Sequence, residues 1–256
     1  MDAMEISLVV FVCVFGSSIA GMILRLMLPG RHFSSEAQDV IKLALGLITT
    51  MTALILGFLI STAKASYDVK RAQLTQISAD IILIDRSLDL YGSETKQARD
   101  ALRDLVASLI GQIHASPIGT PPKEELRRAT ESNSPTAFYQ MVRRLSPRND
   151  AQSSLKAEAL KISLEVSEIR ALALAQEDNS IPIPFLVVLV FWLVILFAGL
   201  GLFSPPNFTV ATALCICALA VSAAVFMIIE MDDAFVGVMR ISSEPLRNAM
   251  IVITRQ

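Results

Sequence analysis

Four segments of the chain carry almost no charge, and they constrain its fold more than any other feature. They cover roughly residues 6–28, 40–62, 184–203 and 208–229. Each is about 20 residues long, enough for a helix to cross a hydrocarbon core of about 30 Å at 1.5 Å per residue. Hydrophobic residues make up 53% of the chain and charged residues 18%, outside the usual composition of soluble domains. The sequence therefore predicts a polytopic membrane protein.

The first apolar segment has the features of a retained anchor. Asp2 and Glu5 precede it where a secretory signal peptide would carry basic residues. Its apolar run of about 19 residues is also longer than the hydrophobic region of a signal peptide. We expect this segment to remain in the protein as the first membrane helix.

The four segments are grouped as two, a long interval, and two. Four crossings would place the N-terminus, the long interval and the C-terminal tail on one side of the membrane. Basic residues are almost evenly divided between the two sides, so the charge bias that usually sets orientation gives no preference. The predicted organisation has membrane helices over 1–62 and 184–229, an extramembrane helical domain over 63–183 and an amphipathic tail over 230–256.

The long interval has the spacing of helices. An apolar seam of period 3.5 continues directly from the second segment, and no Gly or Pro interrupts residues 58–91. One helix is therefore predicted over about 40–91, ending at Gly92, with Ser93 as the cap of the next helix. Thr120-Pro121 and Ser134-Pro135 have the pattern of helix starts, and a further helix is predicted over 151–177. The seam consists of Leu74, Ile77, Ile81, Ile84, Leu88 and Tyr91.

The expected fold class is thus all-α, with four transmembrane helices (two plus two) continuous with an extramembrane helical bundle.

The residues that most enzymes use for catalysis are not grouped in this sequence. His32 and His114 are its two histidines, and there is no zinc-ligand spacing, glycine-rich phosphate loop or nucleophile elbow. The net charge is −2, and residues 63–183 contain 16 basic and 16 acidic side chains, so no basic surface for nucleic acid is indicated. We expect a protein that is not an enzyme, needs no cofactor and binds no nucleic acid.

The second segment carries a line of small and hydroxylated residues with a lysine at each end. At 100° per residue these positions fall within about 80° of one another on a helix. One interpretation is that the small residues let helices approach closely while the lysines reach the headgroups. The other is that they line a pore in a ring of subunits, where the lysines would concentrate anions. This small-residue stripe consists of Lys42, Gly46, Thr49, Ala53, Gly57, Ile60 and Lys64.

An acidic cluster follows the fourth segment in the sequence IIEMDDAFVGVMR. Glu230, Asp232 and Asp233 stand where that helix would leave the membrane. A structural interpretation pairs them with bases of the long helix, with Phe235 packed beneath and Gly237 permitting the turn. A functional interpretation makes the three acids ligands of Ca²⁺, which needs six to eight oxygens, so other groups would have to contribute. No Asp or Glu lies within the interior of the four segments, which argues against a proton-driven motor.

Four blocks of the sequence resemble a family of bacterial membrane proteins described as bestrophin-like. The blocks are TALILGFLISTAKASYD, IDRSLDLYGSE, FWLVILFAGLGLFSPPN and IIEMDDAFVGVMRISSEPLRNA. True bestrophins are pentameric anion channels with two-plus-two membrane helices, cytosolic termini and an acidic Ca²⁺ clasp near the last helix. The resemblance implies a homo-oligomer, a pentamer in the bestrophin pattern, in the bacterial inner membrane with its helical domain in the cytoplasm.

Together these patterns predict a homo-oligomeric, anion-permeable channel with the second helix along the pathway. An alternative from another class is a non-conducting membrane scaffold whose helical domain recruits a partner. A third, a stator-like energy transducer, is disfavoured because no intramembrane carboxylate is present. Bilayer recording on the purified protein would distinguish the first two.

Overall fold

The computed structural model describes residues 3–27, 35–114, 135–176, 183–232 and 239–255. Within these ranges the chain forms eight α-helices and no strand, which confirms the all-α fold. The helices are α1 (Ala3–Met27), α2 (Ser35–Tyr91), α3 (Lys96–His114), α4 (Pro135–Arg143), α5 (Asp150–Gln176), α6 (Ile183–Phe203), α7 (Phe208–Asp232) and α8 (Glu244–Arg255).

Four of these helices are long and apolar enough to cross a membrane. The qualifying stretches are Ala3–Met27, Gln38–Tyr91, Pro184–Phe203 and Phe208–Asp232. They cover the four uncharged segments of the sequence to within one residue, so the predicted two-plus-two order of long apolar helices is confirmed. Among the shorter helices, α4 begins at Pro135 as expected, and both ends of α5 lie within one residue of the predicted 151–177. The helix start predicted at Thr120-Pro121 lies outside the described residues.

The second helix is continuous for 57 residues. No break or strand occurs between residues 62 and 75, where the sequence also showed no Gly or Pro. The helix ends at Tyr91 because Gly92 has a φ of +127°, a backbone conformation that side chains with a Cβ rarely adopt. The prediction of one long helix ending at Gly92 is confirmed.

The described chain divides into two compact units. One, the membrane unit, comprises Met1–Tyr67 and Ser180–Asp232; the other, the extramembrane unit, comprises Asp68–Asn179 and Asp233–Gln256. In the membrane unit α1 packs against α6 and α7. The core of this unit is built from apolar side chains on all four of its helices, among them Val14, Leu59, Leu193 and Val225.

Glycines bring α1 and α6 into direct backbone contact. A Cβ added at Gly21 would overlap the carbonyl oxygen of Ala198, and one added at Gly201 would overlap the carbonyl oxygen of Ser18. Small residues serve the same purpose at many membrane helix crossings, where close approach of the backbones maximises van der Waals contact. Ser18 and Gly21 of the first helix are therefore packing residues.

The extramembrane unit is organised around the predicted seam of α2. Five of the six seam residues are buried, with exposures from 1% at Leu88 to 8% at Leu74. The C-terminal helix α8 buries Leu246, Ala249 and Ile253. Its last turn is held by α3, since Arg103 donates to the Ile253 carbonyl oxygen from Nη2 at 2.8 Å and from Nε at 3.1 Å.

The connection between α2 and α3 differs from the prediction in one respect. Ser93 was expected to cap the next helix, but it begins a short 3₁₀ turn, Ser93–Thr95. The buried hydroxyl of Thr95 shares its one hydrogen between the carbonyl oxygens of Leu88 and Gly92, each 2.7 Å from Oγ1. Carbonyls left free at the end of α2 are thus satisfied by a side chain of the turn, as helix ends require.

Candidate functional site

The small-residue stripe lies on one exposed face of the membrane part of α2. All seven of its residues are exposed within the single chain, with Ile60 at 38%. The helix explains this grouping, since steps of three and four residues return to the same side. The sequence had indicated that these residues share a face, and the structure shows that no other part of the described chain covers it.

Two other faces of α2 have different surroundings. One side is buried in the membrane unit and includes Thr52, Leu59 and Ala63. Another carries large apolar side chains that are exposed, such as Leu43, at 75%. The stripe occupies the third side of the helix. Its small and hydroxylated residues therefore distinguish it from a surface suited to lipid tails.

Packing inside the chain does not explain the glycines of the stripe. A Cβ added at Gly46 or Gly57 would meet no described atom within 4 Å. By the same measure Gly21 and Gly201 are in close helix contacts. The interpretation in which small residues let helices approach closely thus holds for α1 and α6, and finds no support within the chain for Gly46 and Gly57.

A groove of about 660 Å³ runs along the first half of the stripe, bounded by α2, α6 and α7. Lys42, Gly46, Thr49 and Ala53 contribute from α2. The facing walls are mostly apolar and include Leu193, Phe197 and Val221. Gly57, Ile60 and Lys64 lie further along α2 and do not line this groove.

Side-chain hydroxyls and a lysine supply the polar groups of the groove. Thr49 donates to the Leu45 carbonyl oxygen and Thr52 to the Ile48 carbonyl oxygen, both at 2.7 Å. Lys42 lies at one end, 3.8 Å from Asp39 with both side chains more than half exposed. A pair this exposed contributes little to stability, so the lysine remains available to an approaching anion. Lys64, at the other end of the stripe, is exposed and makes an interaction of its own.

The acidic cluster is only partly described. Glu230 is buried, at 5% exposure, and Asp232 is half-buried at the end of α7; both make interactions with other groups. Asp233, Phe235 and Gly237 lie outside the described residues, so the docking predicted for them stays a prediction. Within the part of the chain that the structure describes, no three His, Cys, Asp or Glu side chains are grouped as a metal site.

An ionic network in the extramembrane unit was not found by sequence reasoning. Asp85 is buried, at 1% exposure, and accepts two hydrogen bonds from Arg99, which also pairs with Asp89. The hydrogen bond with Asp85 raises the pKa of the Arg99 guanidinium. The available signal was the block IDRSLDLYGSE, which contains both acids and Gly92. An acid beside an apolar seam looks the same in sequence whether it faces solvent or a buried arginine.

A second buried acid, Asp80, has fewer partners. Gln76 donates to its Oδ1 at 2.9 Å, while its Oδ2 is buried and accepts no hydrogen bond from the described residues. Burial raises the pKa of this carboxyl, the Gln76 hydrogen bond offsets part of that effect, and the charge of Glu165 adds to it. Asp80 is therefore a place where ionisation is costly.

Comparison with known families decides the assignment. A family model described as the bestrophin-like domain matches residues 10–246. The chain belongs to the bestrophin-like family. The match in this bestrophin-like protein includes the small-residue stripe, the Arg99 network and the acidic cluster. No curated protein and no solved structure matches the bestrophin-like chain.

Proposed function

We propose that this bestrophin-like membrane protein is the subunit of a homo-oligomeric, anion-permeable channel whose pathway follows the small-residue stripe of α2. The observation that carries the proposal is the exposed stripe itself. It combines a lysine at each end, a groove beside its first half and glycines that serve no packing contact within the described chain. A surface that only faced lipid would not need these residue types.

The lysines would act by electrostatics. Positive charge at both mouths of a narrow pathway raises the local concentration of anions. Low-dielectric walls, such as those formed here by Leu193 and Phe197, focus that field. Between the lysines, small side chains leave room for a hydrated ion, and threonine hydroxyls offer dipoles that can reorient toward it. These are the requirements of a weakly selective anion pathway.

Oligomer formation is supported by the unequal burial of the four membrane helices. In the most apolar window of α2 only 11% of residues are buried, against 28–33% in the corresponding windows of α1, α6 and α7. A ring of subunits that places α2 toward its axis would cover this helix and close the groove. We propose such a ring in the bacterial inner membrane, with the extramembrane unit on the cytoplasmic side and no enzymatic activity.

The experiment is current recording from the purified protein in planar bilayers, with chloride and sodium gradients to separate anion from cation flow. We expect an anion-selective conductance. Lys42→Glu and Lys64→Glu should each lower the chloride-to-sodium permeability ratio, more strongly at low ionic strength, where the Debye length is about 30 Å at 0.01 M.

The matched control is Arg25→Glu. Arg25 is an exposed base at the end of α1 and does not belong to the stripe. The proposal requires that this variant keep the wild-type reversal potential. A protein that is monomeric in the bilayer, or reversal potentials that are unchanged in both lysine variants, would contradict the proposed pathway.

A further inference from the structure

A small cavity lies inside the extramembrane unit, among α2, α3, α4 and α5. Its volume is about 50 Å³, and most of the side chains that line it are apolar, including Ile81, Leu102, Val106 and Phe138. A cavity needs about 10–15 Å³ for each water-sized group. This cavity thus has room for roughly three to five such groups, which corresponds to a short hydrocarbon chain.

One wall of the cavity carries a charge. Arg170 of α5 lines it and is half-buried. Among the described residues no carboxylate or other acceptor pairs with its guanidinium. Burial lowers the pKa of the Arg170 guanidinium. A partly desolvated arginine normally has a partner, because removing the charge from water is otherwise unfavourable.

Arg99 in the same unit shows what such a partner looks like. It is also largely buried, at 13% side-chain exposure, and it pairs with both Asp85 and Asp89. In this unit Asp85 and Asp89 therefore pair with Arg99, whereas none of the described acids pairs with Arg170. The two serines beside Arg170 do not serve as donors to a ligand, since Ser163 and Ser167 donate to the carbonyl oxygens of Ala159 and Ser163. Arg170 therefore supplies the hydrogen-bond donors that a ligand in this cavity could use.

We propose that Arg170 and the cavity form a binding site for a small amphipathic carboxylate. The carboxylate would accept two hydrogen bonds from the planar guanidinium, a geometry in which the two groups match. A tail of a few carbons would occupy the cavity, displacing water from apolar walls. One guanidinium balances one negative charge, which favours a monocarboxylate over a phosphate.

The test uses the full chain in lipid nanodiscs and hexanoate labelled with ¹³C at the carboxyl carbon. Binding is measured by the broadening of the hexanoate ¹³C NMR signal. Empty nanodiscs correct for partition into the bilayer. Saturable binding to the wild-type protein is expected. Acetate, which lacks the tail, and hexanol, which lacks the charge, should each bind at least ten-fold more weakly. An absence of saturable hexanoate binding, or equal affinity for acetate, overturns the proposal.

Two variants separate the charge from the tail. Arg170→Gln should reduce hexanoate affinity at least ten-fold, while the matched surface variant Arg144→Gln should leave it unchanged. Val166→Phe places a larger side chain on the cavity wall and should also abolish binding. Thermal unfolding identifies any variant that fails to fold, and Arg170→Lys then replaces Arg170→Gln, with a smaller loss of affinity expected. Wild-type affinity in any folded variant of Arg170 or in Val166→Phe overturns the proposal.

Discussion

The guanidinium of Arg99 holds the carboxylate of Asp85 with two parallel hydrogen bonds, from Nε to Oδ1 at 2.8 Å and from Nη2 to Oδ2 at 3.0 Å. The carboxylate is 1% exposed. Removing Arg99 leaves the Asp85 carboxylate buried without its charged partner, which typically costs about 3–5 kcal/mol. We therefore expect Arg99→Ala to lower the unfolding temperature of the extramembrane unit strongly.

The control for this prediction is Lys161→Ala. Lys161 lies 3.7 Å from Glu165 on one exposed helix face, and pairs of this kind contribute about 0.3–0.5 kcal/mol. Its removal should leave the unfolding temperature nearly unchanged. The double variant Asp85→Leu, Arg99→Met should be less destabilised than Arg99→Ala, because neither charge is then buried alone. Equal losses in the double and single variants would mean that the ion pair is not what stabilises this site.

Replacement of Gly21 tests the contact between α1 and α6. Gly21→Ala would force a methyl group onto the Ala198 carbonyl oxygen, and overpacking of this kind costs about 1–3 kcal/mol. Gly16→Ala on the same helix is the matched control, since a Cβ there meets no described atom within 4 Å. Thermal unfolding in detergent should show a lower midpoint for Gly21→Ala only; similar midpoints for both variants would mean that the two helices can separate without loss.

A bulky residue in the stripe should block conduction without unfolding the protein. Gly46 lines the groove and a Cβ there meets no described atom within 4 Å, so Gly46→Phe can be accommodated in the single chain. We expect it to abolish the anion conductance in planar bilayers while the unfolding temperature stays close to that of the wild type. Leu43→Phe, on the exposed large-residue side of α2, should conduct normally. Full conductance in Gly46→Phe would remove this glycine from the pathway.

The buried carboxyl of Asp80 should make stability depend on pH. Its pKa in the folded protein is raised above the ordinary value of 3.8, so the folded state favours the protonated form. The stability that the protonated Asp80 carboxyl contributes is complete below pH 3.8, and it is lost as the pH rises through the folded-state pKa. Asp80→Asn should therefore raise the unfolding temperature at pH 7, and this advantage should shrink as the pH falls toward 3.8. Unfolding measured across that pH range checks the sign; a lower unfolding temperature for the variant at pH 7 would contradict it.

Much of the fold follows from local patterns that sequence reasoning can detect. The seam from Leu74 to Tyr91 identifies the buried face of α2, and Gly92 identifies its end, because both depend on spacing within one helix. The uncharged segments fix the membrane helices in the same way. These features need no knowledge of which helix packs against which.

The features missed by sequence reasoning depend on contacts between residues distant in the chain. Asp85 is buried only because Arg99, 14 residues away, folds back onto it. The groove beside the stripe depends on the placement of α6 and α7 next to α2. That none of the described acids pairs with Arg170 is likewise a property of the folded chain. Conversely, Gly46 and Gly21 both lie in apolar helical segments and look alike in sequence. They differ because α6 approaches Gly21 closely, whereas no described atom lies within 4 Å of a Cβ added at Gly46.

The backbone contact between α1 and α6 also bears on the order of assembly during synthesis. Ala198 follows Gly21 by about 180 residues, and at a synthesis rate of about 5–20 residues per second this corresponds to an interval of about 9–36 s. During that interval α1 resides in the bilayer without the helix its small-residue surface fits, exposing Ser18 and the backbone around Gly21. Insertion of the third membrane helix is then the event that completes the contact between α1 and α6, and a ribosome stalled before residue 198 would leave this surface of α1 facing lipid.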